Sequence, residues 1–260
     1  MTHPPMLGLI AMARRHGRPR AAGRKAPSAM ALTMGRPRHP LEDGGSATRQ
    51  WWWSPPLLVL SAAVALYALS MVVVPLALPA GTIPPLEEGN ANIVDFGDQW
   101  AKLDPYSRLV YTIGDSQCHQ KLSRSLVLNG NQFPMCARMT SITMFSFVGL
   151  VVAARLVPYP SITATMMALY PRSIQQRFLP RRSDPPALYD RRMFYCLWLV
   201  TGLVVAFLLP VAIDGFTQLW TPYESTNPVR VLTGMWTGII GGTILGVMVN
   251  NPHFLTAKGS

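Results

Sequence analysis

PPLLVLSAAVALYALSMVVVPLAL, residues 55–78, decides what kind of protein this chain is. The run carries no charged residue. At about 1.5 Å of rise per residue, a helix of that length crosses a hydrocarbon core of about 30 Å. Trp51, Trp52 and Trp53 stand just before it. Indole rings prefer the headgroup boundary, where one edge stays apolar and the N–H stays wet, so the three mark the cytoplasmic end of the first span.

Three further apolar runs follow, at about 140–157, 193–213 and 231–249, each near spanning length and the first of them the shortest. The expected fold class is therefore all-α, an integral membrane bundle of about four transmembrane helices over residues 51–260. The stretch from Ile162 to Leu169 is too short to cross and lies among Pro158, Pro160 and Pro171, which makes it an interfacial or re-entrant piece. In the last run Gly234, Gly238, Gly242 and Gly246 recur every four residues, a spacing that lets another helix approach closely.

Composition agrees: the 260 residues are 49% hydrophobic and only 13% charged, too little polar surface for an ordinary soluble domain. The formal charge of +11 does not point to nucleic acid, because the basic residues fall in blocks flanking apolar runs and no stacking platform interleaves them. Residues 1–50 hold nine Lys or Arg against two acids among Pro, Gly, Ala and Ser. That composition supports no core and reads as a disordered basic tail, with an organelle transit peptide as the other reading.

The positive charges also set orientation. The tail is basic, and the loop between the second and third spans carries Arg172, Arg177, Arg181, Arg182, Arg191 and Arg192 against Asp184 and Asp190, so both belong in the cytoplasm. The loop after the first span has six acids and five bases, and the loop after the third has Asp214, Glu224 and Arg230; both face outward. The expected location is the plasma membrane of a prokaryotic cell with both termini cytoplasmic. The polar motifs GDSQCHQKLSRSLVLNGNQFPMCARM and IDGFTQLWTPYESTNPVRVLTG fall in the two outward loops.

Those motifs carry a resemblance. Cys118, His119 and Gln120, Arg124 and Ser125, Asn129 and Gly130, and Cys136 with Arg138 form the first block. Asp214, Gly215 and Gln218, Ser225, Thr226, Asn227 and Arg230, and Thr233 with Gly234 form the second. Together they resemble small prokaryotic predicted membrane proteins of unknown function with a Cys-His-Gln, Arg-Ser, Cys-x-Arg-Cys signature and a later DG-x-x-Q and STN-x-x-R-x-x-TG pattern. The resemblance covers about residues 105–250 and departs from the pattern at Met139, where the second cysteine after the arginine would stand. It implies a multi-helix membrane fold and a shared outer motif, and no activity.

Chemistry must then come from the residues. Cys118 and Cys136, in an outward loop, are a disulfide candidate whose ring is worth about 3 kcal/mol in the loop-entropy model. Cys196 reads as a small buried hydrophobe. A metal or redox centre from Cys118, His119 and Cys136 is the competing use, though adjacent Cys118 and His119 chelate poorly from a helix. If residues 115–125 are helical, Asp115 and His119 share a face and form an acid–base candidate, with a capping Asp beside a surface histidine as the plain alternative; Asp214 joins the catalytic candidates. No context supports a serine nucleophile. Arg124, Arg138 and Arg230 with Asn129, Gln132, Gln218 and Asn227 are candidates for binding an anion or a lipid headgroup; alternatively the arginines pair with Asp115, Asp214 and Glu224 and tie the loops together. Three roles stay open: an accessory or structural membrane subunit, an outer-face enzyme or binding protein for an anion, and a metal or redox protein. The expected partners are the bilayer with a lipid headgroup or another membrane protein, and the sequence names no cofactor.

Overall fold

The computed structural model describes residues 53–251 except 88, 91, 92, 160 and 182. The basic tail of residues 1–50, Trp51, Trp52 and Arg182 fall outside the described residues. Among the described residues three helices are long and apolar enough to cross a membrane: α1 (Pro55–Ala77), α7 (Pro186–Trp220) and α8 (Asn227–Asn250). Between α1 and α7 lie α2 (Gly97–Trp100), α3 (Pro105–Asp115), the strands β1 (Ser125–Leu128) and β2 (Asn131–Cys136), and α4 (Ala137–Ala153), followed by the short α5 (Ile162–Met166) and α6 (Arg172–Phe178). The expected second span is α4, an apolar helix of 17 residues, about 25 Å long and thus shorter than the hydrocarbon core.

Two boundaries differ from expectation. The third span, expected over 193–213, is a helix of 35 residues, because proline at its first turn starts it early and the polar segment Asp214–Trp220 continues it. At about 52 Å it outruns the bilayer core, so its ends stand in polar surroundings. The chain is also not all-α: β1 and β2 pair antiparallel around Asn129–Gly130. Both turn residues have positive φ, 52° and 70°, as a two-residue hairpin turn requires.

Helix directions follow from the contacts. Leu57 of α1 packs with Leu150 and Ala154 of α4, while Met71 lies near Cys136 and Met139 at the other end, so α1 and α4 are antiparallel. Phe207 of α7 meets Trp236 of α8 edge to face, and Gln218 reaches Arg230, so α7 and α8 are antiparallel too. By contrast α4 and α8 run parallel, their N-termini side by side: Ser141 Oγ donates to Val231 O at 2.7 Å, and lower down Ala153 lies against Gly246. The C-ends of α1 and α7 and the N-ends of α4 and α8 thus gather at one pole with the hairpin.

Glycine makes the α4–α8 contact. A Cβ at Gly234 would stand 2.6 Å from Arg138 O, and one at Gly238 would stand 2.5 Å from Ile142 O. One at Gly242 would run into the Ser146 backbone, while Gly149 of α4 meets the backbone of α8 in return. The two backbones therefore touch, which replaces side-chain interdigitation with dense van der Waals contact. Gly241, next to Gly242, has open space where its Cβ would be.

This pair makes a test. Gly242→Leu is expected to lower the unfolding midpoint in detergent by an amount equivalent to about 1–3 kcal/mol or more, whereas Gly241→Leu stays within about 0.5 kcal/mol of wild type. Equal effects of the two substitutions would contradict the close contact.

Candidate functional site

The polar pole is built on the hairpin. Asn131 Nδ2 donates to Pro75 O and Pro79 O at 3.0 Å, and Asn129 Nδ2 to Leu78 O at 3.0 Å, so two asparagines satisfy the orphan carbonyls at the end of α1. Gln132 receives the Leu86 N–H at 2.9 Å and donates to Gln120 O at 2.5 Å. Buried Gln120, at φ 53°, donates to Pro134 O at 2.8 Å. Asn129, an anion-binding candidate by sequence, therefore spends its amide N–H on the end of α1. Gln132, also an anion-binding candidate by sequence, holds the hairpin in place together with Asn131, which the sequence reading missed; Asn-Gly between two apolar segments was the signal that reveals the turn.

The Asp115–His119 pair is not assembled. Helix α3 ends at Asp115, the chain turns, and His119 is exposed. Asp115 is 0% exposed and accepts from Phe96 N at 3.0 Å and Trp100 Nε1 at 2.8 Å, which fixes α2 against the end of α3. Its partners are thus the N-cap backbone and the tryptophan of α2, and among the described residues no arginine pairs with it.

Cys118 and Cys136 are neighbouring free thiols: the Cys136 N–H donates to Cys118 Sγ at 3.2 Å. The Cys118 thiol also donates to the Cys136 sulfur, which holds Cys136 low, helped by the Met139 and Arg138 N–H groups of α4 and the Arg138 charge. The same bond and burial push Cys118 up. Among the described residues no group of three or more His, Cys, Asp or Glu side chains is placed to hold a metal ion. The exposed His119 does not join the two thiols, contrary to the Cys118/His119/Cys136 reading. Cys196 is buried in α7, where its thiol donates to Phe178 O at 3.1 Å.

The remaining candidates converge at the N-ends of α4 and α8. Arg138, in the first turn of α4, pairs with Asp214 of α7, whose carboxylate also accepts from Gln218 Nε2 at 2.8 Å. Arg124 Nη2 meets Glu224 Oε1 at 2.7 Å, with Lys121 Nζ at 3.8 Å. Those cations, Arg124 first, hold the exposed Glu224 carboxyl below its usual range. Asn227 Nδ2 donates to Ser125 O at 3.0 Å and ties the start of α8 to β1.

Arg230 is different. It is 3% exposed, donates through Nε to Ser225 Oγ at 2.8 Å and through Nη2 to Gln218 Oε1 at 3.4 Å, and Nη1 has no partner. Among the described residues no carboxylate pairs with it. The cluster sets four cations against two carboxylates, at the positive ends of two parallel helix dipoles with no acidic residue in either first turn and no side-chain cap. A shallow apolar recess of about 490 Å³ between β1, α4 and α8 is lined by Leu126, Phe145, Val231 and Met235, with Asn227 at its edge.

The ion pair at α7 is testable. Asp214→Asn strands the guanidinium of Arg138 and is expected to cost about 3–5 kcal/mol in detergent unfolding, while the joint change Arg138→Met with Asp214→Leu recovers most of that loss. A cost for Asp214→Asn below about 0.5 kcal/mol would remove the pair from the account.

Comparison with known proteins places the same region in a family context. Residues 118–175 and 187–244 match the family model described as Predicted membrane protein (DUF2085). An uncharacterized protein of Methanothermobacter thermautotrophicus is 28% identical over 122 residues, 47% of this chain and 78% of its own length. No solved structure matches. The matched stretches take in both Cys118 and Cys136, the hairpin, α4 and most of α7 and α8, so the chain is similar to predicted membrane proteins across the whole cationic pole, and neither description names an activity.

Proposed function

We propose that α1, α4, α7 and α8 all cross the bilayer, that the pole holding the cluster faces outward, and that it binds a phosphate-type oxyanion, free or carried on a lipid headgroup. The alternating directions of the four helices support four crossings, with α4 drawn in by α8 despite its length. Arg172, Arg177, Arg181, Arg191 and Arg192 at the opposite pole support the orientation, with both termini in the cytoplasm of a prokaryotic cell.

One observation carries the binding reading: a buried guanidinium, Arg230, with no carboxylate and one unpartnered terminal nitrogen. A buried, unpaired charge costs several kcal/mol, and two helix N-termini beside it add to the positive potential rather than relieve it. An oxyanion removes that cost by taking the free N–H of Arg230 and the electrostatic field of Arg138 and Arg124 together. Arginine suits a tetrahedral oxyanion because its planar fork presents donors in pairs.

The sign of a stability change tests this. In anion-free detergent Arg230→Met is expected to be neutral or stabilising, because it deletes an uncompensated charge. Phosphate at about one hundred times its dissociation constant is expected to stabilise wild type by about 2.7 kcal/mol and to leave Arg230→Met unchanged. Nanodiscs containing phosphatidylglycerol instead of phosphatidylcholine separate the lipid source from free phosphate. Equal responses of the two proteins to every anion would refute the proposal, and a stoichiometric protein partner that purifies with such a non-responding chain would favour an accessory subunit.

A further inference from the structure

Sulfur is concentrated beside the cationic pole. Buried Met71, Cys118 and Met135 form one contact cluster, and Cys136, Met139 and Tyr67 pack against it. Four parts of the chain supply these side chains: α1, the turn after α3, the end of β2 with the α4 N-cap, and the first turn of α4. The two thiols touch through the Cys136 N–H on Cys118 Sγ at 3.2 Å. Sulfur side chains also serve as adaptable core filler, and packing alone accounts for a methionine or two. It does not account for two adjacent thiols among three thioethers from separate elements.

The surroundings sort the donors by type. The harder ligands nearby are turned elsewhere: His119 is exposed, and the Asp115 carboxylate is held by Phe96 N and Trp100 Nε1. What remains is an all-sulfur set, and thiolate with thioether selects a soft monovalent ion such as Cu(I) over zinc, iron or magnesium. The Tyr67 hydroxyl, which packs on the cluster, is buried without a partner and offers an O–H to a metal-bound sulfur.

We propose that Cys118 and Cys136, with thioethers from Met71, Met135 and Met139, form a binding site for Cu(I). Binding releases two protons and changes no oxidation state: Cu⁺ and two thiols give a bis-thiolate copper(I) unit of net charge −1 and two H⁺. Arg138 and Arg230 lie within electrostatic reach of Cys136 and balance that charge. The two sites share Arg138 and Arg230 as counter-charge, but phosphate binding at Arg230 calls on no sulfur, so the thiol and sulfur-shell readouts separate the copper site from the oxyanion reading.

The full chain, reduced and purified without oxygen or chelator, is titrated with Cu(I) against bathocuproine disulfonate. One copper per chain is expected to survive the competitor and to protect both thiols from maleimide, and X-ray absorption is expected to show a sulfur-only shell. Cys136→Ser is expected to lose the metal. Met71→Leu with Met135→Leu, which conserves core volume and keeps both thiols, is expected to weaken binding tenfold or more. The proposal is overturned if the competitor strips wild-type protein completely, if a nitrogen or oxygen ligand appears in the shell, or if the paired methionine variant binds as tightly as wild type.

Discussion

The backbone contact between α4 and α8 governs the rest of the structure. Glycines at 149, 234, 238 and 242 let the two helices touch in parallel, and parallel packing puts both positive dipole ends at one pole. The dipoles of α4 and α8 add there, opposed in part by the C-ends of α1 and α7, and the sequence places Arg138 and Arg230 in the first turns of α4 and α8 instead of the acids that usually answer a helix N-terminus. Asp214, carried up by the length of α7 past the expected end of the span, answers one of the two arginines. The excess of positive charge at that pole is thus a consequence of a packing choice made by glycine about one helical turn away.

The hairpin has a structural role that its polar composition disguises. Asn129, Asn131, Gln120 and Gln132 spend their side chains on backbone groups of α1, the loop after it and β2. Pro75 near the end of α1 and the turn that follows leave carbonyls without helical donors, and a membrane protein must satisfy such groups from within. Much of the motif that suggested a shared site is therefore scaffold, and the chemistry contracts to Arg230 with its neighbours and to the sulfur cluster.

How far the sequence could be read follows from the same physics. The three long spans were legible because lipid imposes hydropathy on every residue that faces it, and the four-residue glycine spacing announced a close helix contact. The ends of α7 were not, since beyond the hydrocarbon core helix and loop can both be polar. The acid–base pair of Asp115 and His119 rested on a helix that ends at Asp115, and five residues later Gln120 stands in the left-handed region. Asn129–Gly130 did signal a turn, but the apolar segments beside it are short enough to be taken for loop. Which arginine keeps a carboxylate and which does not is set by long-range pairing, Arg138 with α7 and Arg124 with the loop before α8, and no local pattern encodes it.

The central claim is that Arg230 awaits an oxyanion. The most direct test is an experimental density map of the purified protein with tungstate, a heavy tetrahedral analogue of phosphate. A strong peak is expected within hydrogen-bond distance of Arg230 Nη1. A map with no peak there, and with Nη1 bonded to a protein carbonyl or carboxylate, would contradict it.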